Sequence, residues 1–164
     1  KAVEIAAARG LEIPLVYNTG GYEELETLRL LDGVVDIYMP DMKYGDEEKA
    51  RLYSGVADYV AVNRAAVKEM QRQVGDLVVD ERGLAVRGLI IRHLILPADE
   101  ASTAEVLAFI AREISPHAFV NLMDQYYPAY RAWRHPPLDR RITPAELEAA
   151  RRAAREVGLT RVVS

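Results

Sequence analysis

Two charged side chains, Asp41 and Lys43, follow the apolar run Val34–Met39 at a spacing of two residues. Because alternate residues of a strand share a face, both side chains are expected to point the same way from the end of a buried strand. In α/β barrels and open α/β sheets, ligands bind at the carboxyl ends of the strands. An acid and a base at this position can exchange hydrogen bonds with a charged ligand, which makes this pair the first candidate site.

The three other predicted main strands also end in or carry polar groups. The full set of candidate ligand-binding residues is Asn18, Thr19, Asp41, Lys43, Arg92, Asp124 and Gln125. If the strands are parallel, these groups meet at one edge of the sheet. An arginine holds a carboxylate through two parallel hydrogen bonds, and carboxylates accept hydrogen bonds from ribose hydroxyls or an amine. The set therefore suits a zwitterionic, polyhydroxylated ligand.

Each of these features also has a simpler explanation. Polar residues flank strands wherever the chain leaves the core, and Asp41 with Lys43 could form a surface ion pair worth about 0–1 kcal/mol. Arg92 is the strongest candidate, because it interrupts an apolar run and a buried guanidinium without a partner is costly. His93 points to the opposite face of the same strand and is predicted to pack against a helix.

Other chemical signals in the sequence are weaker. Gly20 and Gly21 could bind phosphate at a helix start or form a tight strand-to-helix turn. The remaining histidines have no metal-like spacing, so no metal ligand is predicted, and no catalytic residue can be assigned. An aromatic stretch could either dock a peptide or cover the open end of a small sheet; it contains Tyr126, Tyr127, Tyr130 and Trp133.

Composition limits the class of protein. The 164 residues are 50% hydrophobic, which predicts one globular domain over residues 1–164. A net charge of -4 gives no reason to expect a nucleic-acid or membrane partner. Without a membrane-spanning run or a secretory signal, a cytoplasmic location is expected. The absence of cysteine excludes disulfides, thiol nucleophiles and thiolate ligands for an iron–sulfur cluster within these residues.

Hydrophobic periodicity predicts alternating helices and strands. The expected helices cover residues 1–9, 22–32, 47–53, 60–74, 102–114 and 143–158, and the main strands cover 11–19, 34–43, 89–96 and 118–123. A hairpin is predicted over residues 77–86, and capping boxes at Ser102 and Thr143. Alternation of this kind implies parallel strands with right-handed crossovers. The expected fold class is α/β, a partial (β/α) barrel fragment with four main parallel strands, flanking helices and a small β-hairpin.

Three segments carry a resemblance to a known family: IPLVYNTGGYEELETLRLLDGVVDIYMPDMKY, GLIIRHLILP and FVNLMDQYYPAY. They resemble the later part of radical S-adenosylmethionine proteins, in the branch similar to pyruvate formate-lyase activating enzyme. The resemblance covers nearly the whole chain and implies strands three to six of a partial TIM barrel. It also implies an oxidoreductase in which a [4Fe–4S] cluster reductively cleaves S-adenosylmethionine. The resulting 5′-deoxyadenosyl radical takes a hydrogen atom, in activating enzymes from a glycine of a partner glycyl radical enzyme.

The resemblance assigns roles to the candidate residues. Asp41 and Lys43 match the family's motif after the fourth strand and would line the S-adenosylmethionine site. Arg92 matches an arginine of the fifth strand and would face the methionine carboxylate, while Asn18 falls near a polar position ending the third strand. Contacts to adenine or ribose are expected at the end of the sixth strand, at Asp124 and Gln125.

Two motifs of the family are absent from these residues: CxxxCxxC, which holds the cluster, and GGE, which grips the methionine amine. The first predicted helix also begins at Lys1 without a cap, which predicts that the chain is cut from a longer protein. The expected function is therefore that of a carboxy-terminal fragment, inactive alone for lack of cluster cysteines. The edge strand around Val16 is expected to favour self-association.

Two alternatives remain open at this point. The chain could be a binding or interaction module that never had a cluster. It could also be an unrelated α/β barrel enzyme in which Lys43 forms a Schiff base, although a neighbouring Asp41 would keep that lysine protonated.

Overall fold

A computed structural model describes residues 1–164 and contains one sheet with five parallel strands and one short antiparallel strand. In chain order the strands are β1 (Val16–Thr19), β2 (Ile37–Pro40), β3 (Val78–Val79), β4 (Ala85–Leu94), β5 (Phe119–Met123) and β6 (Arg161–Val163). The parallel strands lie in the order β1-β2-β4-β5-β6, and β3 pairs with β4. This arrangement confirms the predicted α/β class with a parallel sheet.

Six helices flank the sheet. They are α1 (Ala2–Ala8), α2 (Leu25–Leu30), α3 (Glu47–Ser54), α4 (Tyr59–Val74), α5 (Thr103–Phe109) and α6 (Pro144–Glu156). A single π-helical turn, Ile110–Ile114, continues α5. None of the helices combines the length and the apolar character needed to cross a membrane.

The main hydrophobic core lies between the helices and one face of the sheet. Strands contribute Tyr38, Ile91 and Val120, all 0% exposed, and α4 contributes Val67 and Met70. Strand side chains point to opposite faces in turn, and Met39, Arg92 and Asn121, which alternate with these residues toward the carboxyl ends of the strands, are only half-buried. We call this second side of the sheet the open face; its side chains include Asn18, Met39, Asp41, Ile90, Arg92 and Asn121.

A smaller core cluster lies beyond the carboxyl ends of the strands. Its seven buried residues are Tyr44, Ala50, Tyr59, Val60, Leu96, Ala101 and Leu138. They join α3 and the start of α4 to the loop after β4 and to the irregular segment after β5. This cluster therefore lies next to the edge of the sheet at which ligands of α/β proteins bind.

Several element boundaries differ from the predictions. The hairpin is confirmed, but its second arm and the following strand form the single strand β4, which runs through Gly88. At Gly88, where φ is 118°, a Cβ would lie 2.5 Å from the Asp76 carbonyl oxygen, so glycine permits the hairpin to cross close to the strand. Residues 161–163 form β6, a strand that was not among those predicted, and pair with β5.

The two predicted capping boxes have different outcomes. At Thr143 the box is confirmed, with both reciprocal hydrogen bonds present and Pro144 in the first turn of α6. At Ser102 it is wrong: Ser102 has φ 54° and no capping hydrogen bond. Asp99 caps α5 instead of Ser102, because its Oδ1 accepts a hydrogen bond of 2.8 Å from the Thr103 N–H.

The position of β1 at an edge of the sheet leads to a testable prediction. Its Val16 is 53% exposed and uncharged, whereas β6 at the opposite edge carries Arg161. Because an uncharged edge offers unpaired backbone groups to another chain, we expect the 164-residue chain to self-associate through β1. Sedimentation velocity should show a concentration-dependent shift that Val16→Lys removes and Val163→Lys, on the other edge strand, does not. A strict monomer at high concentration would contradict this expectation.

Candidate functional site

The register of the parallel strands brings Asp41, Arg92 and Asn121 into one row across the open face. Asp41 is bridged to Arg92, and Arg92 is the register partner of Asn121. The pairing continues past the end of β2, because the Met42 N–H donates to the Arg92 carbonyl at 2.8 Å. Neighbouring strands are about 4.8 Å apart, so side chains in one row are direct neighbours. Asn18 lies one row away, as the partner of Met39.

Asp41, Lys43 and Arg92 form a connected group that we call the charge trio. Asp41 Oδ1 lies 2.6 Å from Arg92 Nη2, and Asp41 Oδ2 lies 2.5 Å from Lys43 Nζ. The exposed fraction of the side chain is 17% for Asp41, 24% for Arg92 and 39% for Lys43. The trio is therefore more enclosed than an ordinary surface ion pair. Two cations share one anion, and the trio therefore carries an excess positive charge that favours an anionic ligand group.

Two buried polar atoms of the trio have no hydrogen-bond partner, Asp41 Oδ1 and Arg92 Nε. The contact between Asp41 Oδ1 and Arg92 Nη2 is thus a close ion pair without hydrogen-bond geometry. Leaving a buried donor unsatisfied costs about 1–3 kcal/mol. An acceptor that reached Arg92 Nε would remove this cost.

The turn between β1 and α2 is fastened to the end of β2. Asn63 of α4 is 0% exposed, and its side-chain Nδ2 donates to the carbonyls of Gly21 and Asp41, each at 2.9 Å. A Cβ on Gly21 would lie 2.2 Å from the Asp41 carbonyl oxygen, and one on Gly20 would lie 3.8 Å from Lys43 Nζ. Gly21 therefore allows a close backbone approach, in agreement with the tight-turn interpretation, whereas a Cβ on Gly20 would make only ordinary contact.

Thr19 does not share the open face with its neighbour Asn18. It is 9% exposed, its hydroxyl donates to the Glu23 carboxylate, and it accepts from the Gly21 N–H at 3.2 Å. These bonds belong to the turn, so Thr19 acts there as a structural residue. Its inclusion among the ligand-binding candidates is therefore not supported by its surroundings.

His93 is fully buried on the helix side of β4, as predicted for a packed histidine. Its Nδ1 lies 2.6 Å from the Met42 carbonyl, which can only accept, so Nδ1 carries the proton. Its Nε2 can then accept from the Thr103 hydroxyl at 3.0 Å. Burial lowers the pKa of His93, because the charged imidazolium is poorly solvated there.

This lowered pKa makes stability depend on pH in a defined direction. The unfolded chain binds the proton more tightly than the folded one, so stability is present above the unfolded pKa of about 6.5 and is lost as the pH falls toward the folded pKa. We expect the free energy of unfolding to decrease below pH 6.5 by up to about 1.4 kcal/mol per pH unit. Urea unfolding between pH 7 and pH 5 should show this slope, and His93→Gln should reduce it, while His117→Gln should retain it. An equal slope for parent and His93→Gln would contradict the assignment.

The residues expected at the end of β5 are less well placed. Asp124 and Gln125 follow the last residue of β5, are exposed, and form no contact with the charge trio. The side chain of β5 that joins the row is Asn121, which the sequence reasoning missed. The signal was present, because Asn121 interrupts an apolar strand as Arg92 does. No three His, Asp or Glu side chains are grouped to hold a metal ion.

Comparison with known proteins finds a relative whose activity is not characterized. Uncharacterized protein MJ0674 of Methanocaldococcus jannaschii is 34% identical over 148 residues, which are 90% of this chain and 39% of that protein. The chain therefore spans well under half the length of this relative. No protein-family model and no solved structure matches the chain.

Proposed function

We propose that this chain is the carboxy-terminal, S-adenosylmethionine-binding part of a radical S-adenosylmethionine enzyme similar to pyruvate formate-lyase activating enzyme. The observation that carries the proposal is the charge trio, which joins one carboxylate and two cations on the open face of a parallel sheet. S-adenosylmethionine presents a carboxylate, an ammonium group and ribose hydroxyls, and the trio with its neighbouring amides matches each of these in kind.

Different residues of the chain would bind different groups of the ligand. Arg92 would bind the carboxylate through the guanidinium N–H groups that the Asp41 contact leaves free, of which the unpartnered Nε is one. Asp41 would accept from the ammonium group, and Lys43 would limit the repulsion between the two carboxylates. Asn121 and Asn18, on the same face, would offer amide donors and acceptors to the ribose hydroxyls.

The residues do not fit the iron–sulfur cluster that the resemblance implies. The 164 residues contain no cysteine and so supply no thiolate ligand. We assign the chain to ligand binding, with a glycyl radical enzyme as the proposed protein partner of the complete enzyme. Treating the 164-residue chain with iron and sulfide should give no absorbance band near 400 nm, roughly where sulfur-to-iron charge transfer absorbs. A stable chromophore would contradict this expectation.

The decisive test is S-adenosylmethionine binding by the full gene product that contains this chain. After anaerobic treatment with iron and sulfide, calorimetry should detect binding of S-adenosylmethionine, and incubation with a reductant should yield 5′-deoxyadenosine and methionine. If neither binding nor cleavage occurs in folded protein, the proposal fails. Binding without cleavage in a gene product that lacks cysteine would instead support a cluster-free binding module.

The Schiff-base alternative is less well supported by the geometry. Lys43 Nζ lies 2.5 Å from Asp41 Oδ2, and an amine engaged in this ion pair is not free to attack a carbonyl carbon. Borohydride treatment with a carbonyl compound should therefore leave Lys43 unmodified.

A further inference from the structure

A cavity of about 430 Å³ lies beyond the carboxyl ends of the strands, next to the charge trio but outside its row. Its walls come from α3, from the end of β4 and from the irregular segment after β5. Aromatic and aliphatic side chains form most of the lining, chiefly Tyr44, Tyr53, Leu94, Tyr126 and Leu138. This volume is within the range of small-molecule sites, about 300–1,000 Å³, and the apolar lining with few polar groups is also typical of them.

Of the four tyrosine hydroxyls at the cavity, three are already engaged, and that of the exposed Tyr130 is the exception. Tyr126 donates to the Leu138 carbonyl at 2.7 Å, Tyr53 donates to the Glu100 carboxylate at 2.6 Å, and the Tyr44 hydroxyl lies 3.0 Å from Ser54 Oγ. These bonds fix the rings in place before any ligand arrives. What remains for a ligand is the aromatic surface of the rings, which favours a flat apolar group.

The two charged side chains that line the cavity, Lys43 and Arg131, are both cations, and no Asp or Glu lines it. Lys43 is already paired with Asp41, whereas Arg131 forms no ion pair and stacks on the Tyr130 ring, 4.9 Å from its centroid. His135 lies edge-on to Tyr53 with ring centroids 5.8 Å apart. An anionic group beside Arg131 would therefore meet attraction without competition from a protein carboxylate.

We infer that this cavity binds a small aromatic carboxylate, with the ring among the tyrosines and the carboxylate at Arg131. Lys43 borders both the cavity and the charge trio. The inference nevertheless does not rest on the S-adenosylmethionine proposal, because the ligand carboxylate is assigned to Arg131 and neither Arg92 nor Asn121 takes part. The ligand would be a second compound, held on the same rim of the sheet as the charge trio.

The test uses 2-naphthylacetate as the probe and its uncharged isostere 2-naphthylacetamide, titrated calorimetrically into the full gene product. The acetate should bind about tenfold more tightly than the acetamide, since a hydrogen bond to a charged group contributes about 1.5 kcal/mol or more. Arg131→Gln should weaken acetate binding about tenfold and leave acetamide binding unchanged. Arg134→Gln is the matched control, because Arg134 stacks on Trp133, 4.7 Å from the ring centroid, and does not line the cavity.

A second variant tests the apolar part of the site. Ala132 lines the cavity, and Ala132→Trp should abolish binding of both probes while the melting temperature shows that the protein remains folded. The inference is overturned if the parent protein binds neither probe at millimolar concentration, if both bind equally, or if Arg131→Gln and Arg134→Gln behave alike. S-adenosylmethionine binding, measured in the same variants, should not change with Arg131→Gln, so that failure of one proposal is distinguishable from failure of the other.

Discussion

Gly21→Ala is expected to lower the free energy of unfolding by about 2–5 kcal/mol, combining a left-handed backbone strain of about 1–2 kcal/mol with overpacking of about 1–3 kcal/mol. The residue has φ 75°, and its added Cβ would lie 2.2 Å from the Asp41 carbonyl oxygen and 2.4 Å from Asn63 Nδ2. Neither neighbour can yield without breaking the hydrogen bonds of Asn63 to Gly21 and Asp41. Chemical denaturation monitored by circular dichroism measures the change.

Gly33→Ala separates the two contributions. Gly33 has nearly the same backbone conformation, φ 76°, but nothing lies within 4 Å of its added Cβ. We expect this variant to lose only the strain contribution, about 1–2 kcal/mol. If the two variants are equally destabilised, the turn after β1 is not held against the end of β2 in the way described above.

Arg92→Ala is expected to weaken S-adenosylmethionine binding by the full gene product about 10- to 100-fold, because hydrogen bonds to charged groups contribute about 1.5–3 kcal/mol each. The substitution removes the unpartnered Nε and lowers the net charge of the trio from positive to neutral, while Asp41 keeps its contact with Lys43. Arg92→Lys should give an intermediate loss, since lysine retains the charge but not the planar pair of donors. Isothermal titration calorimetry measures both.

Arg82→Ala provides the control for a general loss of positive charge. Arg82 lies in the hairpin turn before the amino end of β4, is 79% exposed and pairs with Asp80, whereas Arg92 lies near the carboxyl end of that strand. Its replacement should leave the affinity unchanged. Equal affinity of the Arg92→Ala variant and the parent protein would remove Arg92 from the site and, with it, the main support for the proposed ligand.

The order and type of the main elements could be predicted from hydrophobic periodicity, but their ends could not. Residues 11–15 belong to an apolar run, yet β1 begins only at Val16, because Pro14 has no N–H to donate to a sheet. Strand β6 has three residues, too few to carry a pattern. At Ser102 the sequence matched a capping box, but its backbone takes φ 54° and Asp99 caps the helix instead.

The candidate site was predictable where a charge interrupts an apolar run. Arg92 was identified in this way, because a buried charge requires a partner and its cost is visible in sequence. Asp41 was identified from its spacing with Lys43 at the end of a predicted strand. Asn121 was not, since a neutral amide within a strand is a weak signal and its partnership with Arg92 depends on strand register. Asn63 resembles any polar residue of a surface helix; only the packing of α4 against two carbonyls reveals its role.

The half-exposed state of the open face sets how strongly the charges of Asp41, Lys43 and Arg92 act on one another. In contact with water, their mutual attraction is weakened by the high dielectric constant of the solvent. Any layer that covers the sheet, whether an occupant or a protein segment, would expel that water and strengthen every charge–charge term at once. A ligand that forms ion pairs with these side chains would therefore bind more tightly the more completely it excludes water from the open face.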